Sequence, residues 1–121
     1  MIFCHLIDDY KLQGILANMK QQKWWKENAD KYLYRNDYKM ALIEHAFSWS
    51  FTTTLPFLVI AFIQNNRLLA VLLVVSYIIN TAIHAFVDDL KANKFKINLV
   101  EDQLIHLAQI IYTWIILTIA V

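Results

Sequence analysis

Three of the four histidines in this 121-residue chain have an aspartate four positions away in the sequence. With ten acidic residues in the chain, composition alone would give a histidine such a neighbour roughly one time in six. Residues four apart lie on one face of a helix, so the members of each pair can act together. Neutral imidazole and carboxylate are the ligand types that hold Zn, Mn, Fe or Ni. The three pairs are His5 with Asp9, His84 with Asp88, and Asp102 with His106.

The fourth histidine, His45, opens a long apolar run and joins these pairs as a candidate ligand. The pattern predicts a divalent-metal site of the Zn or Mn kind. A metal bound there would activate water and polarise a phosphoryl or acyl oxygen, which favours hydrolysis of a lipid headgroup or a small cytosolic phosphoester. The candidate metal ligands are His5, Asp9, His45, His84, Asp88, Asp102 and His106; Asp9 and Asp102 are also candidate catalytic carboxylates, and Gln13, Lys91 and Gln103 are placed to orient ligands or to bind substrate.

Two non-enzymatic interpretations stay open for the same residues. His–Asp pairs can form a structural hydrogen-bond network between helices, to which Gln103 and Gln109 would add bonds. They can also relay protons or ions. Beyond the histidines the apolar segments offer hydroxyl and amide groups but no ionisable side chain, which favours a blind pocket over a pathway. Lys91 could extend to the membrane surface, pair with Asp88 or meet a phosphate.

The composition points to lipid as the solvent of this chain. Apolar and aromatic residues make up 59% of it, charged residues 17%, and the mean hydropathy is +0.40. Soluble domains run at about 45–50% apolar and about 25% charged. The net charge of +1 lacks the basic surplus of a nucleic-acid binder. The single cysteine, Cys4, excludes an intrachain disulfide and a four-thiolate zinc site.

Three apolar segments predict membrane spans at 40–63, 68–87 and 103–121. Residues 46–63 contain no ionisable group, and this length is near the lower limit for crossing a hydrocarbon core about 30 Å thick. Pro56 lies inside the first span, where it frees one carbonyl and can kink the helix. A soluble bundle with three such segments would have little polar surface left.

The predicted fold class is therefore all-α, a single polytopic membrane domain of three transmembrane helices over residues 1–121. Residues 1–19 have helical spacing but too many polar groups for a span, so they predict an interfacial or re-entrant helix packed on the bundle. Gly14 is expected to end or bend that helix. Residues 20–39 are polar, with Trp24 and Trp25, and predict a headgroup-level segment.

The distribution of basic residues predicts the orientation. Six basic residues in 20–39 and three lysines in 88–101 contrast with Arg67 alone in 64–67, so both basic connections should be cytoplasmic and their lysines should touch anionic lipid. His45, His84 and His106 then share one depth near that face. The expected location is the cytoplasmic (inner) membrane, with several crossings; a homo-oligomer stays open. The basic residues are Lys20, Lys23, Lys26, Lys31, Arg35, Lys39, Lys91, Lys94 and Lys96.

Four motifs in order resemble a family of small bacterial and phage membrane proteins catalogued as domain of unknown function 3307. They are HLIDDYKLQ from His5, the lone His45 that opens a span, HAFVDDLK from His84, and EDQLIH ending at His106. The family also has an Asn-Lys pair shortly after the glutamine, for which Asn18 and Lys20 are the nearest match. The resemblance covers most of the chain and implies a small polytopic helical protein without an established activity. The arrangement is loosely similar to membrane-bound metal-dependent hydrolases, by analogy alone.

Overall fold

The computed structural model describes residues 1–30 and 32–121, and the regular structure in these residues is entirely helical. Lys31, one of the lysines used to predict the orientation, lies outside them. Three long helices form the body, and shorter helical pieces at the N-terminus pack on its first long helix. The elements are α1 (Ile2–Ile7), a π-helical turn (Asp8–Leu12), α2 (Leu16–Met19), α3 (Gln22–Asn28), α4 (Asp37–Gln64), α5 (Arg67–Ala92) and α6 (Leu99–Thr118).

Helices α4 and α5 are long and apolar enough to cross a membrane. They contain 28 and 26 residues, which at about 1.5 Å per residue corresponds to roughly 42 and 39 Å. Helix α4 continues through Pro56 without a break. Helix α5 extends past the predicted end of its span as far as Ala92, and this extension places Asp88 inside a continuous helix.

The third predicted span coincides with most of α6, which has 20 residues. This helix starts earlier than the predicted span because Asn98 caps it and Glu101 completes a capping box with the Asn98 backbone. Asp102, His106 and Gln109 are buried along its inner face. Among the described residues only α4 and α5 qualify as long apolar helices of this kind, so the crossing of the membrane by α6 is part of the proposal below.

Residues 1–19 are mainly helical and pack on the bundle, as expected, but they form separate pieces on either side of Gly14 and not one helix. α1 passes into the π-helical turn, and the chain then bends at Gly14, whose φ of +48° lies in the left-handed region that favours glycine. The bend confirms the role predicted for Gly14. The π turn buries two consecutive aspartates, Asp8 and Asp9, against α4. π turns occur frequently at functional sites.

The interior of the bundle is polar towards one end and apolar at the other. The apolar end is a cluster formed by Phe57, Ala61, Leu69, Leu73 and Leu117. Many large apolar side chains point outward instead, away from this core. Exposed apolar surface of this extent indicates that lipid or a partner covers it. Examples are Phe47, Phe62, Val71, Ile78, Ile111 and Trp114.

The segment after α2 packs beside the end of α5. The side chain of Asn93 donates a hydrogen bond to the Lys20 carbonyl over 3.0 Å and accepts one from the Gln22 amide over 2.7 Å. At the other end, Asn66 donates to the Ala120 carbonyl over 2.7 Å. The two basic connections therefore lie at the same end of the bundle, opposite the 64–67 turn.

Candidate metal centre

The polar end of the bundle collects histidines and aspartates from five elements. His45 lies in the third turn of α4, His84 towards the end of α5, and His106 in the second turn of α6, so the antiparallel course of the three helices brings them to one level. The imidazole centroids of His45 and His84 are 5.0 Å apart, and those of His84 and His106 are 4.0 Å apart. All three side chains are buried.

One group of ligand atoms gathers around His45. Its Nε2 lies 3.1 Å from Nε2 of His84, 3.4 Å from Oδ1 of Asp9 and 3.6 Å from Oδ2 of Asp88. Nε2 of His84 is 4.0 Å from the same Asp88 oxygen. Asp9, His45 and His84 form one triad that could hold a metal ion.

A second group of ligand atoms gathers around His106. Its Nε2 lies 3.3 Å from Oδ1 of Asp88 and 3.4 Å from Oδ1 of Asp102. His84, Asp88 and His106 form the other triad that could hold a metal ion. Asp88 therefore lies between the groups, with Oδ2 towards His45 and Oδ1 towards His106.

A chain of hydrogen bonds fixes the two outer aspartates. The Trp49 indole can only donate, and its Nε1–H reaches Nδ1 of His5 over 2.7 Å, so the proton of His5 is on Nε2. That Nε2–H donates to Oε1 of Gln103 over 3.2 Å. The Gln103 amide then donates to Oδ2 of Asp9 and to Oδ2 of Asp102, each over 3.2 Å. In each of these two aspartates the other oxygen, Oδ1, has no hydrogen-bond donor among the described residues.

Burial and neighbouring groups together set the charge states of the two N-terminal members, His5 and Asp9. Burial lowers the pKa of His5 against the opposing effect of Asp9, so this imidazole is neutral near pH 7 and can accept the Trp49 bond. Burial by itself would raise the pKa of Asp9, but the approach of His45 and the neighbouring His84 and His5 outweigh it, and the pKa lies below its usual range. Asp9 is thus a carboxylate, the form that binds a metal.

Aromatic stacking sets the plane of the central histidine. The Trp49 and His106 rings both stack on the His84 ring. The ring centroids are 4.3 Å apart for Trp49 and 4.0 Å apart for His106, and the interplanar angle is 25° in both contacts. Trp49 is fully buried. It was not a sequence candidate, because a tryptophan within an apolar run is typical of a core or interface residue.

Asp8 is a second participant that the sequence did not single out. Its carboxylate is fully buried; Oδ1 accepts hydrogen bonds from Ser48 over 2.7 Å and Thr52 over 3.2 Å, and Oδ2 lies 3.7 Å from Nδ1 of His45. His45 therefore faces the other ligands with Nε2 and a carboxylate with Nδ1. The second ring nitrogen of a metal-bound histidine usually donates to a carboxylate; here the two atoms face each other at 3.7 Å without a hydrogen bond. Only the DD doublet in the sequence could have suggested it.

Two lysines complete the cluster. Lys20, 7% exposed, donates to Oδ2 of Asp88 over 2.6 Å. It was predicted only to set orientation, and the Asn-Lys feature of the resemblance was the one signal for it. Lys91 pairs with Asp102 in α6 and lies 4.0 Å from Oδ1 of Asp88. Of the three roles predicted for this lysine, the structure shows the ion pair with Asp88, and it adds Asp102 as a second partner.

The remaining sequence candidates lie at the margin of the cluster. Gln13 donates to the carbonyl of Asp9 in its own turn. His5 has both ring nitrogens in hydrogen bonds and belongs to neither triad, and Asp102 also lies outside both. Their roles as substrate contact or metal ligand stay predictions. Gln109, in contrast, makes the predicted interhelical bonds, to the backbone and side-chain oxygens of Asn80, each over 2.9 Å.

Comparison with known proteins gave no match to a family model, a curated protein or a solved structure. The similarity of the four motifs to the uncharacterised membrane family therefore stays a prediction. What the fold and the cluster define is an all-α protein with two helices able to span a membrane and buried His/Asp groups that could hold a metal ion.

Proposed function

We propose that this protein is an integral membrane protein with a divalent-metal centre open to the cytoplasm, and that it hydrolyses an ester of a lipid headgroup or a small phosphoester. The observation that carries the proposal is the group of His45 Nε2, His84 Nε2 and Asp88 Oδ2, with Asp9 Oδ1 beside it. The distances given above for these atoms run from 3.1 to 4.0 Å.

These separations match the edges of a metal coordination polyhedron. For Zn²⁺ with bonds of about 2.0–2.1 Å, neighbouring ligand atoms of a tetrahedron are about 3.3–3.4 Å apart. Two imidazole nitrogens facing each other in a dry interior need a proton or a cation between them. A proton would join only the two histidines, whereas a cation would also contact Oδ1 of Asp9 and Oδ2 of Asp88, which lie 3.4 and 3.6 Å from Nε2 of His45.

The charge of the cluster supports the same conclusion. Leaving the histidines aside, its four buried carboxylates and two lysines carry a net charge of minus two, which is equal and opposite to the charge of one divalent cation. Buried charge of that size is costly unless it is compensated. The carboxylates are those of Asp8, Asp9, Asp88 and Asp102, and the lysines are Lys20 and Lys91.

The side chains suit hydrolysis. A divalent ion lowers the pKa of a coordinated water and polarises the ester oxygen. His45, His84 and Asp88 would hold the ion and leave a position for water, and Asp9 Oδ1, 3.4 Å from Nε2 of His45, would be close enough to accept a proton from that water. The water oxygen would then bond to the ester centre as the bond to the leaving oxygen breaks, and the leaving oxygen would take a proton from solvent.

The outward apolar side chains of α6, such as Ile111, Trp114 and Ile115, support a third crossing. At about 30 Å, a helix of this length can span the hydrocarbon core. The basic connections at the polar end support a cytoplasmic opening. Deeper in the bundle, Asn80 and Thr113 bond to each other, and the apolar cluster around Leu69 closes the far end. A closed end favours a pocket over a relay.

Metal analysis of the full chain tests the proposal. Protein purified in detergent without chelator is expected to carry or take up Zn²⁺ or Mn²⁺, and His45→Gln or His84→Gln is expected to abolish this binding. Asp89→Asn is the matched control, because Asp89 neighbours Asp88 but pairs with Lys94 over 2.8 Å outside the cluster. Loaded wild-type protein should hydrolyse members of a phosphoester and ester panel, and Asp9→Asn should not.

Three results would contradict the proposal. Absence of metal in the wild type with normal folding would favour a structural network in which two histidines are protonated. Proton flux in vesicles that depends on the same residues would favour a relay. Metal binding without turnover of any ester would support the metal centre but contradict the proposed hydrolase activity.

A further inference from the structure

We infer that the centre holds two divalent ions bridged by the Asp88 carboxylate, and that its substrate is a phosphoester whose phosphoryl group contacts both ions. The inference rests on the proposed function, since it adds a second ion to that metal centre and narrows the ester to one class. It is carried by the contacts of Asp88, Asp102 and His106.

The two sides of Asp88 present matching sets of atoms. On the Oδ2 side are a histidine Nε2 from His45 and the undonated Oδ1 of Asp9, 3.4 Å apart. On the Oδ1 side are Nε2 of His106 and the undonated Oδ1 of Asp102, also 3.4 Å apart. A single Gln103 amide holds the other oxygen of both outer aspartates. Each side thus offers at least one imidazole nitrogen, one terminal carboxylate oxygen and one oxygen of the shared Asp88, and His84 adds a second imidazole nitrogen on the Oδ2 side.

A hydrogen bond alone does not satisfy the second set. One Nε2–H of His106 faces two carboxylate oxygens at 3.3 and 3.4 Å, and one proton cannot make a good bond to both. Lys91 contacts the opposite oxygen of Asp102 and is 4.0 Å from Oδ1 of Asp88, so it leaves Oδ1 of Asp102 directed at His106. A cation at this place would contact all three groups.

The charge balance assigns the substrate class. One divalent ion neutralises the cluster, so a second gives it a net charge of plus two, which a phosphate monoester dianion cancels. An uncharged carboxylic ester would not. Paired metal ions about 3.5–4 Å apart are a common device for holding the attacking and leaving oxygens of phosphoryl transfer.

The lysines mark the side from which such an anion would enter. The Lys91 side chain is 26% exposed, whereas those of Asp88, Asp102 and His106 are nearly or fully buried. An ammonium has three donors, and Asp102 occupies one of them. Lys20 contacts Oδ2 of Asp88, the same oxygen that would bind the first ion. Binding of that ion would weaken this ion pair, and the Lys20 ammonium could then contact the phosphate.

Mn²⁺ binding by the full chain in phosphatidylcholine nanodiscs tests the inference. Wild-type protein is expected to bind two Mn²⁺ per chain and to show the electron paramagnetic resonance spectrum of a coupled pair. Asp102→Asn and His106→Gln should each bind one ion and show an isolated Mn²⁺ spectrum, whereas Asp89→Asn should behave as wild type. Circular dichroism checks that each variant is folded. Asp102→Asn and His106→Gln test the second ion independently, so either one is sufficient if the other does not fold.

Inorganic phosphate should raise the affinity of the wild type for the second Mn²⁺, and this Mn²⁺ should raise the affinity for phosphate by the same factor. Acetate is the control and should have no such effect. Nanodiscs containing phosphatidic acid distinguish the sources: tightening without free phosphate supports a lipid headgroup, and tightening by free phosphate alone supports a soluble phosphoester. One uncoupled ion in the wild type, unchanged by Asp102→Asn, would overturn the second ion and leave the proposed function intact. Two coupled ions indifferent to either phosphate would overturn the substrate class, and no ion at all would overturn both proposals.

Discussion

His45 and His84 come from neighbouring antiparallel helices, and their Nε2 atoms lie 3.1 Å apart in a fully buried position. Oδ2 of Asp8 lies 3.7 Å from Nδ1 of the first imidazole, and the Trp49 ring stacks on a face of the second. Two nitrogens at this distance need a proton or a cation between them, and this point is where the proposed first ion lies.

Divalent metal is expected to stabilise the wild-type bundle and not His84→Gln. A ligand that binds only the folded state contributes RT ln(1 + [L]/Kd), or about 2.7 kcal/mol at a hundredfold excess over Kd. Thermal unfolding in detergent, followed with and without Zn²⁺ or Mn²⁺, measures the difference. Equal metal-induced shifts in His84→Gln and wild type would show that the stabilising ion binds elsewhere.

Gln103→Leu is expected to lower metal affinity about 10- to 100-fold, the range for loss of a group that orients metal ligands. The substitution removes both amide bonds to Asp9 and Asp102 and the acceptor for His5. The matched control is Gln109→Leu, which breaks bonds to Asn80 and should lower stability while metal affinity holds. Calorimetric titration gives both affinities, and similar losses in the two variants would contradict a specific role for Gln103.

Lys20→Gln is expected to destabilise the metal-free protein by about 3–5 kcal/mol, because it leaves the buried Asp88 carboxylate without its lysine. Added Mn²⁺ should restore most of this loss, since the ion supplies the missing positive charge. Lys23→Gln is the control: its 3.8 Å pair with Glu27 is exposed and should matter by no more than about 1 kcal/mol. Destabilisation that metal does not relieve would mean that Lys20 acts as packing alone.

Cysteine labelling tests the topology, including the third crossing. In a Cys4→Ser background, cysteines at the exposed positions Gln64 and Val121 are expected to react with an impermeant maleimide from outside the cell, and a cysteine at Lys96 should react only after lysis. The prediction follows from the basic connections at the polar end. Labelling of Val121 from the same side as Lys96 would show that α6 does not cross.

The sequence by itself determined the all-α class, the positions of the long helices and most of the ligand candidates. Apolar runs such as 46–63 and the four-residue His–Asp spacings are local patterns, and helical geometry converts them directly into faces. The common level of His45, His84 and His106 also followed, because it needs only the alternating direction of successive helices and the placement of basic connections at one end.

Tertiary structure decided which atoms meet. The π turn that buries Asp8 beside Asp9, the approach of Lys20 to Asp88 across 68 positions, and the Trp49–His5–Gln103 chain depend on contacts between segments far apart in sequence. No local period encodes such contacts, because they depend on how the N-terminal segment folds back on α4 and α6. The orientation of Asp88, with one oxygen towards each histidine group, depends on the packing of α5 between α4 and α6.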